Sequence, residues 1–325
     1  MPPESSLQIP GSDKYDALNE AARFSQRTLE HLTASLRREM GSSDDVLTVA
    51  VAGSLGRMET TRLSDVDYII VRKTGNTSGD AELMTLVNRA VEGCGLVAPR
   101  MSERLAAPVA LDQLVEHMGS PAEAPDLLRK RMLLLLESRS VYAYSGFRDT
   151  VNRILERYAL GVTATPVGTG MLEYLLADLI RYYRHIEVRA DQRWPLRDVK
   201  LGHSRLIMYA GFLALLGEAS KRVGDESTWL AEHLALTPIE RIALVYEANR
   251  DVNLPELLVL YDMFLSRWAD RAIRRQLLSV DELHRDEPIL RELLLNADAI
   301  RTELVRFVLA RQRDWSGRFF NHLFL

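Results

Sequence analysis

Two short β-branched runs, VLTVAVA (Val46–Ala52) and VDYIIV (Val66–Val71), stand close together in a chain whose apolar residues otherwise recur mostly at helical spacing. Runs of this kind, bounded by turn residues, read as buried strands. Gly41 to Asp45 supplies the turn before the first run, and the Gly/Asn/Ser stretch from Lys73 to Asp80 the loop after the second. A third strand is expected at Leu96–Met101. Helices are expected over 13–40, 81–92, 110–118, 124–137 and 146–158, because apolar residues return there every three or four positions. Beyond the Gly/Thr/Pro segment Gly161–Gly170 only helices are expected, over 170–190, 197–222, 238–250, 254–277 and 286–313.

The fold class is therefore α+β, a small mixed-sheet unit followed by an all-α unit. A length of 325 residues fits two domains of ordinary size. The boundaries read as a flexible tail over 1–12, a first domain over 13–160 and a helical domain over 166–325. No run reaches the ~18 apolar residues of a membrane span. The first residues lack the basic-then-apolar pattern of a secretory signal. The single cysteine, Cys94, excludes an intramolecular disulfide and any multi-cysteine metal site. A cytoplasmic protein is expected. With 41 Lys+Arg against 45 Asp+Glu, the formal net charge is −4, which argues against a long nucleic acid as partner.

The chemistry concentrates in AGSLGRMETTRLSDVDYIIV, residues 52–71. The first strand ends at Gly53-Ser54, and ten residues intervene before Asp65 and Asp67 open the next strand. Residues i and i+2 of a strand share a face, so the two carboxylates project together. Their repulsion is relieved by a cation between them, and Mg²⁺ (or Mn²⁺) suits carboxylates plus substrate phosphates. Gly53 lets the backbone approach a phosphate, and Ser54 with the amides that follow can donate to a triphosphate. Arg57, one turn on, can neutralise a phosphate oxygen.

A second concentration is Arg181–Arg205, with seven Lys/Arg and two histidines against three acids. Arg197, Lys200 and Ser204 share one helix face there, suited to a triphosphate or an acidic acceptor, or simply to solvent.

The string Gly-Ser, ten residues, Asp-x-Asp resembles the signature of the polymerase-β-like nucleotidyltransferase superfamily. The fuller GSLGRMETTRLSDVDYIIV looks closest to a branch holding the glutamine-synthetase adenylyltransferases, the PII uridylyltransferases and bacterial nucleotidyltransferases with a helical C-terminal domain. Weaker similarity runs through EGCGLVAP (92–99) and LLLESRSVYAYSGFRD (134–149). The resemblance implies transfer of a nucleoside monophosphate from a nucleoside triphosphate, with ATP as the family's usual donor, to a hydroxyl of a protein or small molecule. Asp65 and Asp67 would be catalytic and hold the metal. Gly53, Ser54 and Arg57 would hold the nucleotide, with Arg197, Lys200 and Ser204 supplied by the helical half. A third carboxylate is common in the superfamily, and Glu103 is the nominee. Two alternatives stay open: a nucleotide-sensing or partner-binding module without full catalysis, and the neutralising half of a toxin–antitoxin pair.

Overall fold

The structure, a computed structural model, describes residues 9, 11–41, 43–99, 105–120, 122–160, 170–188, 194–222, 224–280 and 287–324. Glu103 and most of the 161–170 boundary lie outside the described residues, as does most of the 1–12 segment. Ile9, which falls within that expected tail, is buried in the core.

A 3₁₀ turn at Ser12–Lys14 leads into α1 (Asp16–Met40). Next come β1 (Val46–Ala52), α2 (Gly53–Gly56), β2 (Asp67–Arg72), α3 (Asp80–Gly93), β3 (Val109–Ala110), α4 (Leu111–Glu116), α5 (Pro125–Leu136), β4 (Arg139–Tyr142) and α6 (Tyr144–Ala159). The rest is helical: α7 (Met171–Val188), α8 (Trp194–Gly202), α9 (Ser204–Ala219), α10 (Glu226–His233), α11 (Pro238–Ala248) and α12 (Leu254–Ala269). The chain closes with α13 (Arg271–Ser279), α14 (Pro288–Ala310) and α15 (Gly317–Phe324). The class is α+β, as the sequence indicates. No helix among the described residues is long and apolar enough to cross a membrane.

The four strands lie in the order β3-β2-β1-β4. β1 is antiparallel to β2 and β4, and β3 joins β2 in parallel, so the sheet is mixed. Alternation assigns its faces. Val49, Val51, Tyr68 and Ile70 pack with Leu32 and Leu36 of α1 and Val87 and Val91 of α3. Ala50, Ala52, Ile69 and Val71 face the other way, into a core that continues through α5 and α6 to Phe264, Phe307 and Phe320. One hydrophobic core thus joins one sheet face to the helical half.

The structure departs from the sequence reading in several places, among them two helices, α10 and α15, where none was expected. Of the strand expected at 96–101, the described residues 96–99 form a single bridge, Asp65 to Val97, and β3 lies at 109–110. β4 had no counterpart in the sequence reading, because four residues after the apolar run of α5 show no alternation to count. The expected 197–222 helix is two helices, since His203 leaves the helical region at φ −123°, ψ −95°. The expected 254–277 helix also divides. Asp270 is extended and its carboxylate accepts from the amides of Ala272 and Ile273, starting α13 afresh.

Candidate active site

Pairing in the sheet brings the motif together. Ala52, the last residue of β1, lies opposite Asp67, the first of β2. The chain then turns at Gly53, whose φ is +66°; a Cβ there would sit 3.1 Å from Asp67 Oδ2. Any other residue would be strained and would crowd the carboxylate. At Gly56 a Cβ would fall 1.8 Å from the Glu137 carbonyl oxygen, backbone against backbone with no flexible side chain to yield. The two glycines therefore let α2 lie directly on its neighbours. Asp65 is exposed, Val66 buried and Asp67 half-buried, so the two carboxylates share the open side of the strand. Gly53, Ser54, Asp65 and Asp67 line one cleft of about 720 Å³.

Behind these residues runs a buried ionic chain. Glu137 follows α5; its Oε1 accepts from the Gly53 amide at 3.0 Å, and its Oε2 pairs with Arg57 Nη1 at 2.5 Å. Arg57 Nε donates to Glu59 Oε2 at 2.8 Å, and the Tyr261 hydroxyl of α12 donates to Glu59 Oε1. Burial by itself would lower the Arg57 pKa, but Glu59 and Glu137 outweigh it and hold the guanidinium well above its ordinary value. Tyr261 stays a neutral donor, since burial and Glu59 both push its phenol up. Arg241 donates to the Leu136 carbonyl at 2.7 Å and so fixes the end of α5 from which Glu137 projects.

The rest of the lining is rich in cations. Arg129 of α5, Lys200 of α8, Arg205 of α9 and Arg274 of α13 line the same cleft, with Tyr182, His185 and Trp268. Burial lowers the Lys200 ammonium, partly offset by Asp65, and lowers Arg205, partly offset by Tyr182 and Glu137. Arg274 donates to the Leu63 carbonyl at 3.0 Å and lies 4.9 Å from the Trp268 ring centroid. Among the described residues Arg129, Lys200 and Arg205 form no hydrogen bond or ion pair. Half-buried cations without a carboxylate partner are costly, and an anion arriving between them removes that cost.

Seven of the residues singled out from the sequence line the cleft: Gly53, Ser54, Arg57, Asp65, Asp67, Lys200 and Ser204. Arg57 is engaged on both sides by carboxylates. Arg197 does not line the cleft; it pairs with its neighbour Asp198 at 3.1 Å. Glu137, Arg129 and Arg274 received no role from sequence, and Arg205 was counted only within the basic segment. The string LLLES, an apolar helix closing on a lone acid before a polar–apolar pair, was the available signal for Glu137.

Two neighbouring carboxylates suit one divalent ion completed by phosphate oxygens. No group of three metal-ligating side chains occurs among the described residues. Glu137 makes no third ligand here, because both its oxygens are already engaged. The donor set thus fits a divalent ion completed by oxygens of a bound ligand.

Residues 9–100 match the model of a family described as putative nucleotidyltransferase DUF294. The N-terminal part of the chain is therefore similar to a nucleotidyltransferase-type family. The match takes in β1, the glycine turn and the Asp pair and stops before the helices that carry the cations. It does not single out the adenylyltransferase or uridylyltransferase branch. A comparison with curated proteins finds no match.

Proposed function

We propose that the chain is a metal-dependent nucleotidyltransferase that moves a nucleoside monophosphate, with ATP as donor, onto a hydroxyl of a protein or small molecule. One observation carries this reading: a carboxylate pair at a glycine turn and four cations line a single cleft. The two walls suit the two halves of a nucleoside triphosphate complex. Asp65 and Asp67 would hold Mg²⁺, which when bound supplies charge neutralisation at the phosphates. Ser54 and the amides after Gly53 donate to the terminal phosphates, whose remaining charge Lys200 and Arg205 meet. Glu137, Arg57 and Glu59 keep the turn rigid, so its donors stay aimed without reorganisation. The acceptor oxygen attacks the α-phosphorus and pyrophosphate leaves toward the cationic wall.

A second reading, nucleotide sensing without turnover, is favoured by the engagement of both Glu137 oxygens, which leaves the Asp pair without a further free carboxylate among the groups touching Gly53. One experiment decides between them: incubation with each labelled nucleoside triphosphate, Mg²⁺ and cell lysate. Transfer requires labelled product that disappears in Asp67→Asn. Nucleotide binding with no labelled product supports sensing, and neither binding nor label overturns both.

A further inference from the structure

A second cavity, of about 340 Å³, lies between α1, β4, α6 and α10 and shares no lining residue with the cleft. Its size is at the small end of the range for small-molecule sites, ~300–1,000 Å³. Most of its surface is apolar, from Leu134, Phe147, Val151 and Leu234 among others. Three arginines also line it, Arg37, Arg139 and Arg148, against one acid, Glu30. Arg37 and Arg148 are exposed and form no hydrogen bond or ion pair among the described residues.

Arg139 is the unusual member. It is half-buried on β4, its Nε donates to the Gly56 carbonyl at 3.2 Å, and its Nη2 has no hydrogen-bond partner. The nearest carboxylate, Glu240, stands 4.0 Å away, and its Oε2 already accepts from the Thr237 amide and hydroxyl at 2.7 Å each. A guanidinium has five donors, and this one spends few of them. An apolar hollow beside Arg37 and Arg148, guanidiniums without an acid partner, calls for a ligand that is greasy at one end and anionic at the other. A triphosphate is the wrong guest, because the walls would strip its water without replacing it.

We infer that this cavity binds a small amphipathic carboxylate, apolar body against Leu134, Phe147 and Val151 and head group toward Arg139, Arg37 and Arg148. Through Arg139 its occupancy reaches Gly56 of the glycine turn. The neighbouring residue, Glu137, belongs to the turn's own ionic chain, so the two cavities meet across three consecutive residues, 137–139.

Calorimetric titration of the full chain with octanoate, octanol and octylammonium tests the site. Octanoate binds at one site, octanol at least tenfold more weakly, and octylammonium not at all. Charge reversal at the exposed positions, Arg37→Glu with Arg148→Glu, weakens octanoate at least tenfold while the melting temperature of the free protein stays put. Ala34→Trp, on the exposed side of α1 where it lines the cavity, blocks binding. Equal binding of octanoate and octanol, survival of binding in Ala34→Trp, or no binding by the wild type overturns the assignment. Hydrogen exchange over residues 53–57 should change when octanoate binds; unchanged exchange with full binding would overturn the link to the glycine turn.

Discussion

The two charged linings of the cleft, carboxylate and cationic, are built in opposite ways. The carboxylate wall comes from one stretch, Gly53 to Asp67, held by the pairing of two adjacent antiparallel strands. The cationic wall is gathered from α5, α8, α9 and α13, with more than 140 residues between Arg129 and Arg274. A wall made by local pairing is as rigid as its sheet and tolerates no change in backbone. A wall made by helix packing can lose one member and keep the rest. Under the proposed function, the first would set what chemistry is possible and the second how tightly the substrate is held.

The contrast can be broken most directly at Asp67. With ligand at a hundred times its dissociation constant, Mg²⁺ and ATP should stabilise the wild type by about 2.7 kcal/mol. Asp67→Asn should abolish that gain and all labelled product; a variant that keeps its metal-dependent thermal shift would break the division between the walls. Next in size is Arg57→Met, which strands the Glu59 and Glu137 carboxylates in the interior. Loss of one member of a buried ionic chain costs about 3–5 kcal/mol, readable in denaturant unfolding, and nucleotide binding should fail in parallel. A loss below about 1 kcal/mol would mean that the chain does not hold the turn.

The cationic wall should respond more gently. Arg205→Met should weaken nucleotide binding roughly tenfold, worth about 1.4 kcal/mol, and leave the free protein as stable or more so, because a half-buried cation without an ion-pair partner is gone. Destabilisation of the free protein would instead make Arg205 a structural residue. Lys200 adds a pH signature. Its pKa is lowered in the folded state, so the unfolded chain binds more protons in the window between the lowered value and the ordinary lysine value. Stability therefore rises with pH through that window, while nucleotide affinity falls there as the ammonium is lost. Lys200→Arg should push the loss of affinity to higher pH, and an unchanged profile would remove Lys200 from phosphate recognition. The smallest effect is expected at Arg197, outside the cleft: Arg197→Ala should change affinity less than twofold, since its one ion pair is with its half-buried chain neighbour Asp198 and reaches no cleft residue.

The same contrast explains what could be read from the sequence. Gly53, Ser54, Asp65 and Asp67 were legible because strand alternation and a tight turn turn spacing directly into geometry. Lys200 and Ser204 were found by helical spacing, but so was Arg197, since periodicity names a face and cannot give its edge. Glu137 stayed hidden because it reaches Gly53 only after α5 has packed, 84 positions away. Arg274 stayed hidden because the capping carboxylate of Asp270 starts a new helix there and turns the chain, an event invisible in an apolar pattern that runs straight through. β4 was lost for shortness alone.

The Tyr261–Glu59 hydrogen bond spans 202 residues, and this bears on how the protein is made. Chains emerge from the ribosome N-terminus first, at about 5–20 residues per second, so Tyr261 follows Glu59 by about 10–40 s. The last strand ends at Tyr142, so the whole sheet is made while the acid behind the glycine turn still waits for its phenol. The nascent chain therefore carries the complete motif well before the ionic chain behind the glycine turn is complete. Synthesis order alone thus leaves the buried ionic chain open at one end until the helix that bears Tyr261 has arrived.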